Sequence, residues 1–251
     1  MSAPIQPGCE SFSFVGGPLG VLVLHGFTGN PQSMRGLADC FAKAGLSVEM
    51  PLLPGHGTSV EDMIPTRFAD WSRAADQAFE SLAARCNQVA VVGLSMGGAL
   101  TCWLAERHPA ILGIVLVNPL VEPVGDEMTV GLQELLDSGV VTIDSIGSDI
   151  ANPEVKEHSY EATPVASLIS LLEGVKEVSA NLSAIHCPVL LFSSMQDHVV
   201  PVSNGPHLIE HVSGSVEQIK LEQSFHVATV DFDGVFIEEK ALSFIEGLIN
   251  E

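Results

Sequence analysis

Residues 89–98 read Val-Ala-Val-Val-Gly-Leu-Ser-Met-Gly-Gly, and this stretch decides the fold. The β-branched run that ends at Val92 predicts a buried strand, and residues 95–107 follow it with a helical pattern. Glycines on both sides of Ser95 allow the strand and the helix to pack closely about a strained turn, which lifts the serine hydroxyl above the sheet. A glycine-rich turn with only a structural role is the alternative, but the context favours a nucleophilic serine.

The same region has to be weighed as a membrane span, because residues 86–105 carry no charge over 20 positions. Polar residues and three glycines interrupt this run, and its first half is β-rich whereas its second half is helical. A buried strand followed by a buried helix explains it better, so we expect no transmembrane segment. The first Lys or Arg is Arg35, so a secretory signal is not expected either, and we predict a cytoplasmic protein.

Similar apolar runs alternate with helical patterns along the whole chain. The predicted strands are 20–24, 47–50, 89–93, 114–117, 189–193 and 215–221, and the predicted helices are 31–44, 67–85, 95–107, 202–211 and 235–249. Strand-helix alternation implies right-handed crossovers and a mostly parallel central sheet flanked by helices. A chain of 251 residues fits one such α/β domain, so we expect a single domain over residues 1–251.

The alternation breaks after Asn118, where Gly, Pro and Asp interrupt every candidate element. We expect a lid insertion at about residues 120–165, after the sixth core strand. Eight carboxylates and no Lys or Arg lie between Arg107 and Lys156, although the segment stays apolar. This combination fits a cap with an apolar underside and an acidic outer face, and an ordinary surface excursion is the alternative.

Charge and cysteine content exclude several classes of protein. Ten Lys and Arg oppose 31 Asp and Glu, and the formal charge of −21 disfavours nucleic acid as a partner. That charge is compatible with ordinary solubility or with a high-salt environment. The five cysteines are odd in number and contain no Cys-X-X-Cys pair, which argues against a disulfide framework and against a zinc site. No metal site is therefore predicted.

Two backbone amides are candidates for an oxyanion hole. A carbonyl attacked by Ser95 develops a negative oxygen, and the amide of the next residue, Met96, is one donor for it. The second donor must come from another loop, and the run that ends in His25-Gly26-Phe27 supplies the amide of Phe27. His25 and Gly26 have a structural interpretation as well, because they shape the turn that aims this amide.

The base that activates the serine has to be chosen among nine histidines. Folds with this serine turn place the acid and then the histidine after the serine, which excludes His25 and His56. His226 follows the predicted strand 215–221, and sites in α/β sheets gather at the carboxyl ends of strands. The remaining histidines after Ser95 lie on predicted helices, linkers or the insertion, where a structural or solvated role is favoured: His108, His158, His186, His207 and His211.

Asp197 is the predicted acid because it follows the strand 189–193 in the same way. Its competitors are two aspartates after the histidine and two in the insertion: Asp231, Asp233, Asp144 and Asp149. His198 is a weak rival base, since neighbouring side chains on an extended segment point apart.

The chain resembles the α/β-hydrolase family, and more closely the bacterial monoacylglycerol lipases and small carboxylesterases. The segments that carry this resemblance are His25-Gly26-Phe27-Thr28-Gly29, Gly55-His56-Gly57-Thr58, Gly93-Leu94-Ser95-Met96-Gly97-Gly98, Asp144-Ser145-Ile146-Gly147-Ser148-Asp149, Asp197-His198-Val199-Val200-Pro201 and His226-Val227-Ala228-Thr229. The most specific is Asn152-Pro153-Glu154-Val155-Lys156-Glu157, because general esterases do not share it.

The resemblance implies a Ser95, Asp197 and His226 triad and an oxyanion hole formed by the backbone of Phe27 and Met96. It also implies a lid over an acyl channel. By the same resemblance Glu157 binds the glycerol head group and Ile146 lines the channel. No metal or organic cofactor is expected.

The expected reaction is ester hydrolysis through an acyl-enzyme, with monoacylglycerol giving fatty acid and glycerol. An acidic entrance disfavours anionic head groups, so small neutral esters are the expected substrates. The alternatives are a general short- to medium-chain carboxylesterase, a proline iminopeptidase-like peptidase, haloperoxidase-like side activity and a non-catalytic binding protein.

Overall fold

The protein is built around one central sheet. In the computed structural model, which describes residues 3–145 and 148–249, the strands are β1 (Phe12–Phe14), β2 (Leu19–Leu24), β3 (Ser47–Met50), β4 (Gln88–Leu94), β5 (Ile114–Val117), β6 (Thr142–Asp144), β7 (Ala162–Pro164), β8 (Val189–Ser194) and β9 (Val216–Leu221). Seven of them form one sheet with the order β1-β3-β2-β4-β5-β8-β9. Its pairs are parallel except for β1 with β3, while β6 and β7 form a separate antiparallel pair.

Helices cover both faces of this sheet. They are α1 (Arg35–Lys43), α2 (Val60–Met63), α3 (Phe68–Ala83), α4 (Met96–Arg107), α5 (Asp126–Asp137), α6 (Val165–Asn181), α7 (Asn204–His211) and α8 (Gly234–Gly247). Along β2, Leu22 and Leu24 pack with α3, α4 and α6, whereas Val21 and Val23 pack with α1 and α8. Alternate side chains of a strand thus enter two separate cores, which explains why the buried strands are almost continuously apolar.

The structure confirms the predicted α/β-hydrolase fold with a mostly parallel sheet. The six predicted core strands are present with ends that differ by one residue at most. The sequence interpretation missed β1, which is three residues long and partly exposed. It also missed α5 and α6. A glycine stands in the middle of α5, and α6 is too apolar around its circumference to show a clear stripe.

The segment between β5 and α6, called the insertion from here on, contains α5, β6 and β7. The prediction that it follows a sixth core strand is wrong, because only β1 to β4 precede β5 in the described sheet. A small apolar cluster of Leu132, Val165, Ile169 and Leu172 joins α5 to α6. The outer side of α5 is less polar than expected, since Met128 and Val130 are more than half exposed.

The uncharged run at residues 86–105 forms β4 and most of α4. Within the described ranges, the chain contains no helix with the length and apolar character needed to cross a bilayer.

Candidate active site

Ser95 occupies a strained turn between β4 and α4. Its φ of +55° and ψ of −116° are unusual for a residue with a side chain. Two glycines make this turn possible: a Cβ on Gly93 would lie 2.1 Å from the carbonyl oxygen of Gly97, and a Cβ on Gly97 would lie 2.2 Å from that of Leu24. The backbone N–H of Ser95 donates to the carbonyl of Val117 at 3.1 Å, which ties the turn to β5.

The loop after β2 lies directly beside this turn. The Cβ position of Gly26 is 3.5 Å from the Cβ of Ser95, so the peptide that joins Gly26 to Phe27 borders the serine. Among the described residues, neither Phe27 nor Met96 donates its backbone N–H to a protein acceptor. The two amides that the sequence predicted for an oxyanion hole are therefore available beside Ser95.

His25 fixes the peptide that carries one of these amides. Its Nδ1 lies 2.9 Å from the carbonyl oxygen of Gly26, and its Nε2 accepts the backbone N–H of Leu53 at 3.1 Å. The proton of the neutral ring must therefore be on Nδ1. Burial, with a smaller contribution from the nearby His56, lowers the pKa of His25 to about 3. His25 is neutral and structural, as its position in the turn suggested.

The structure brings Asp197 and His226 together. Nδ1 of His226 and Oδ2 of Asp197 are 2.8 Å apart, and the two side chains are only 8% and 3% exposed. The other carboxylate oxygen of Asp197 accepts the backbone N–H groups of Val199 and Val200, both at 2.8 Å. Because Nδ1 donates to Asp197, Nε2 of His226 is left with a lone pair that can take a proton.

Sheet order places these groups close together, because β8 and β9 are adjacent and β5 alone separates them from β4. Ser95 follows β4, Asp197 follows β8 and His226 lies in the loop after β9, all at carboxyl ends of parallel strands. The turn between β4 and α4, the loop after β8 and the loop after β9 therefore meet at one edge of the sheet.

The backbone of His226 is held as firmly as its ring. Its carbonyl accepts Nδ2 of Asn118 at 2.8 Å, and its N–H donates to Oδ2 of Asp149 at 3.1 Å. Asn118 has a φ of +43° at the end of β5, a conformation for which Asn is one of the favoured residues. Sequence reasoning missed Asn118 and weighed Asp149 only as a rival acid. An Asn directly after a buried strand was the available signal.

The rivals for the acid and the base have other partners. His198 is 60% exposed and bonds Asp149 through Nδ1 at 2.8 Å, so it does not approach Asp197 through its ring. Asp233 accepts the backbone N–H and hydroxyl of Ser224 at 3.1 and 2.7 Å. Asp144 ends β6 and lies at its exposed end.

Glu157 lies beside the same site. Its Oε1 is 2.8 Å from the Cβ position of Gly29, in the loop after β2. Burial raises the pKa of Glu157, although the charge of His226 and a hydrogen bond with Ser33 act in the opposite direction. The carboxyl group is therefore close enough to His226 to interact with it. Ile146, the other residue that the resemblance assigned to substrate binding, lies outside the described residues.

Another cluster, with metal-ligand residue types, lies away from this site on α3 and at the end of α4. Nε2 of His108 is 2.7 Å from Asp76, and Nδ1 is 3.8 Å from Glu80. Because the two carboxylates face opposite nitrogens of one ring, this cluster is explained as an ion-pair network.

The chain is similar to known proteins over most of its length. The profile of the family described as serine aminopeptidase, S33, matches residues 19–232. The chain is 46% identical to the thermostable monoacylglycerol lipase of Bacillus sp. (strain H-257), with 96% of each chain covered. It is 28% identical to a carboxylesterase of Bacillus subtilis (strain 168), covering 95% of this chain and 97% of that one.

Among solved structures, one described with LipS and LipT, two metagenome-derived lipolytic enzymes, superimposes with a TM-score of 0.93. The two chains are 39% identical, and the match covers 97% of this chain and all of the other. Because these matches cover nearly the whole chain, they include the sheet, the insertion and the loops that carry Ser95, Asp197 and His226.

Proposed function

Because this chain belongs to the serine aminopeptidase S33 family of α/β-hydrolases, we propose that it is a serine hydrolase of neutral carboxylic esters, with monoacylglycerols as its main substrates. The observation that carries the proposal is the 2.8 Å contact between His226 and Asp197, at the sheet edge where the strained Ser95 also lies. The 46% identity to a monoacylglycerol lipase over nearly the full chain supports the substrate class.

In this proposal Ser95 is the nucleophile and His226 the general base. Nε2 of His226 takes the hydroxyl proton as the serine oxygen attacks the ester carbonyl. Asp197 holds the Nδ1–H and stabilises the imidazolium that forms. Two buried side chains with a fixed hydrogen bond lose little freedom in this step, which is the advantage of a preorganised pair.

The backbone amides of Phe27 and Met96 would stabilise the oxygen that becomes negative. Preorganised amides act strongly in a site that excludes water, because no solvent has to reorient during the reaction. His226 then gives its proton to the leaving alcohol, and an acyl group stays on Ser95. A water molecule, deprotonated by His226, attacks the carbonyl of this acyl-enzyme. The bond to Ser95 then breaks, His226 returns the proton to the serine oxygen, and the fatty acid leaves.

We propose that Glu157 hydrogen-bonds the glycerol head group and that the insertion covers the acyl chain as a lid. Glu157 lies beside the loop of Phe27 and interacts with His226, so a head group bound there would place its ester near Ser95. The excess of carboxylates in the insertion opposes anionic head groups and favours neutral substrates.

The test is a substrate panel with Ser95→Ala as the control. Monoacylglycerols of increasing chain length are compared with alkyl esters of the same acids, with di- and triacylglycerols and with a lysophospholipid. We expect monoacylglycerols to have the highest kcat/KM and the variant to be inactive. Faster turnover of the lysophospholipid would overturn the preference for neutral head groups, and equal turnover of short alkyl esters would indicate a general carboxylesterase.

The family description gives a second candidate, an aminopeptidase, in which Glu157 would bind a free amino terminus. Proline arylamide separates the two, because a peptidase cleaves it faster than it cleaves monoacylglycerol.

We also propose a cytoplasmic location without nucleic acid partners. Five free cysteines and a charge of −21 support this, and cell fractionation tests it.

A further inference from the structure

Two carboxylates join the insertion to the loop of His226 in opposite directions. Asp149 belongs to the insertion and binds the backbone of the His226 loop, whereas Asp231 follows His226 and binds the backbone of the insertion. We call this reciprocal pair the Asp149–Asp231 clasp. It lies apart from the Asp197 contact, which holds the imidazole ring itself.

Asp149 is placed to fix the position of His226. Its Oδ2 accepts the backbone N–H of His226 at 3.1 Å and that of His198 at 3.0 Å, while its Oδ1 lies 2.8 Å from Nδ1 of His198. Its own carbonyl accepts the backbone N–H of Val227 at 3.1 Å. The side chain is only 13% exposed, so water competes weakly for these bonds.

Asp231 completes the clasp from the other side. Its Oδ2 accepts the N–H of Ala151 at 2.7 Å and that of Phe225 at 2.9 Å, and its Oδ1 accepts the N–H of Asn152 at 2.9 Å. Asp231 is 7% exposed. Hydrogen bonds to an ionised acceptor are about twice as strong as neutral ones, so a displacement of residues 149–152 would break several strong bonds at once.

Helix α5 of the insertion is held differently. Its helix α5 packs on α6 through one small apolar cluster, and an exposed ion pair of Asp126 with Lys176 adds to it at 2.6 Å. Exposed ion pairs contribute little to stability. Within the insertion, residues 149–152 are thus bound to the catalytic loop by two carboxylates of low exposure, whereas α5 is held by a small apolar contact.

We propose that Asp149 is a positioning residue for His226, and that the Asp149–Asp231 clasp makes residues 149–152 a fixed part of the catalytic site rather than of a moving lid. The inference rests on the proposed function, because it takes His226 as the general base. It assigns catalytic support to a segment that the sequence placed inside the lid.

Asp149 acts on the loop of His226 as an ionised carboxylate. The ionisable groups that face His226 are Asp197 at its ring, Asp149 at its backbone and Glu157 beside it. Burial alone would raise the pKa of Asp149, but hydrogen bonds from His198 and His226 outweigh it and hold that pKa below its ordinary value. An anionic Asp149 accepts the backbone N–H groups of His198 and His226 in charge-assisted hydrogen bonds, which are stronger than neutral ones.

Two substitutions separate geometry from charge. Both backbone N–H donors bind the same oxygen of Asp149, so Asp149→Asn can keep these bonds and present its amide to His198. Asp149→Ala loses them all. Asp126→Ala is the matched control, because Asp126 is an aspartate of the same insertion that contacts Lys176 only on the surface.

The experiment measures kcat and KM on one ester for wild type and the three variants. We expect Asp149→Ala to lower kcat by at least about tenfold with KM within about twofold, since misplaced catalytic groups cost rate. Asp149→Asn should recover most of kcat, because its amide oxygen can accept the same two backbone N–H groups. Asp126→Ala should match wild type.

Hydrogen exchange gives a second readout that does not depend on a folded Asp149 variant. In the wild-type protein, peptides that contain the amides of Ala151, Asn152 and His226 should exchange much more slowly than peptides from α5. The inference is overturned if these peptides exchange as fast as α5. It is also overturned if Asp149→Ala keeps wild-type kcat, or if Asp149→Asn is as slow as Asp149→Ala. Residual activity in Ser95→Ala would instead refute the proposed function.

Discussion

The ring of His25 binds the carbonyl of its own neighbour, Gly26, at 2.9 Å, and this contact sets the direction of the next amide. The carbonyl of Gly26 and the N–H of Phe27 belong to one planar peptide and point in opposite directions. By holding the oxygen on one side, His25 directs the N–H of Phe27 to the other. A buried histidine outside the triad thus helps to build the proposed oxyanion hole.

Replacement of His25 by Phe should therefore lower kcat by about 10- to 100-fold with a small change in KM, because a misaligned oxyanion donor costs mainly transition-state stabilisation. The acid limb of the pH profile should not move, since burial holds the pKa of His25 near 3. His56→Phe is the control. The ring centroids of His56 and His25 are 5.0 Å apart, and within the described residues His56 makes no hydrogen bond to this peptide. Equal losses of kcat in both variants would contradict the assignment.

Asp197→Asn should lower kcat by about 10³- to 10⁴-fold, because an amide can hold the imidazole in the wrong tautomer and cannot stabilise its positive charge. The matched variant is Asp233→Asn, since Asp233 also lies near the loop of His226 but bonds Ser224. We expect this second variant to keep kcat within a few fold, and steady-state kinetics on one soluble ester compares the two. A larger loss in Asp233→Asn would show that the acid has been chosen wrongly.

The sequence predicted the parts of the site that depend on strand ends. The residue pattern from Val89 to Gly98 predicts a strand, a turn and the start of a helix. Asp197 and His226 each follow a recognisable strand. Parallel pairing then brings those ends together. Local pattern and sheet topology are sufficient for this much of the structure.

The clasp could not be predicted in this way. Asp149 and His226 are 77 positions apart, and their contact joins a carboxylate to a backbone N–H, a group that every residue except proline carries. No residue pattern marks such a bond in one sequence. Strand β1 was missed for a related reason, because it has three residues and owes its place to pairing with β3 rather than to its own pattern.

Glu157→Gln should reduce kcat/KM for monoacylglycerols by about tenfold and leave alkyl esters of the same acids nearly unchanged, because only the glycerol head would lose a charge-assisted hydrogen bond. Gly29→Ala offers an independent route to the same effect. Its Cβ would lie 2.8 Å from Oε1 of Glu157, which can swing away without disturbing the backbone. If both variants slow the hydrolysis of alkyl esters as much as that of monoacylglycerols, Glu157 does not bind the head group.

Glu106 provides a prediction about stability rather than catalysis. Its side chain, on α4, is only 3% exposed, and its Oε1 has no partner among the described residues, whereas Oε2 lies 3.0 Å from Arg107. Burial raises the pKa of Glu106 to about 7, although Arg107 opposes the shift. The folded state therefore binds this proton more tightly than the unfolded chain does.

A raised pKa adds stability that is complete below the ordinary pKa of 4.5 and is lost as the pH rises through about 7. Glu106→Gln removes this loss because the amide does not ionise. Its free energy of unfolding should match wild type near pH 4.5 and exceed it by about 2 kcal/mol near pH 8, within the roughly 3 kcal/mol that the shift allows. Urea unfolding at several pH values measures the difference. Glu177→Gln removes a 55% exposed partner of Arg107 that makes only a minor contribution to the raised pKa of Glu106, so its pH dependence should be much smaller. A Glu106→Gln difference that is constant with pH would refute the buried proton.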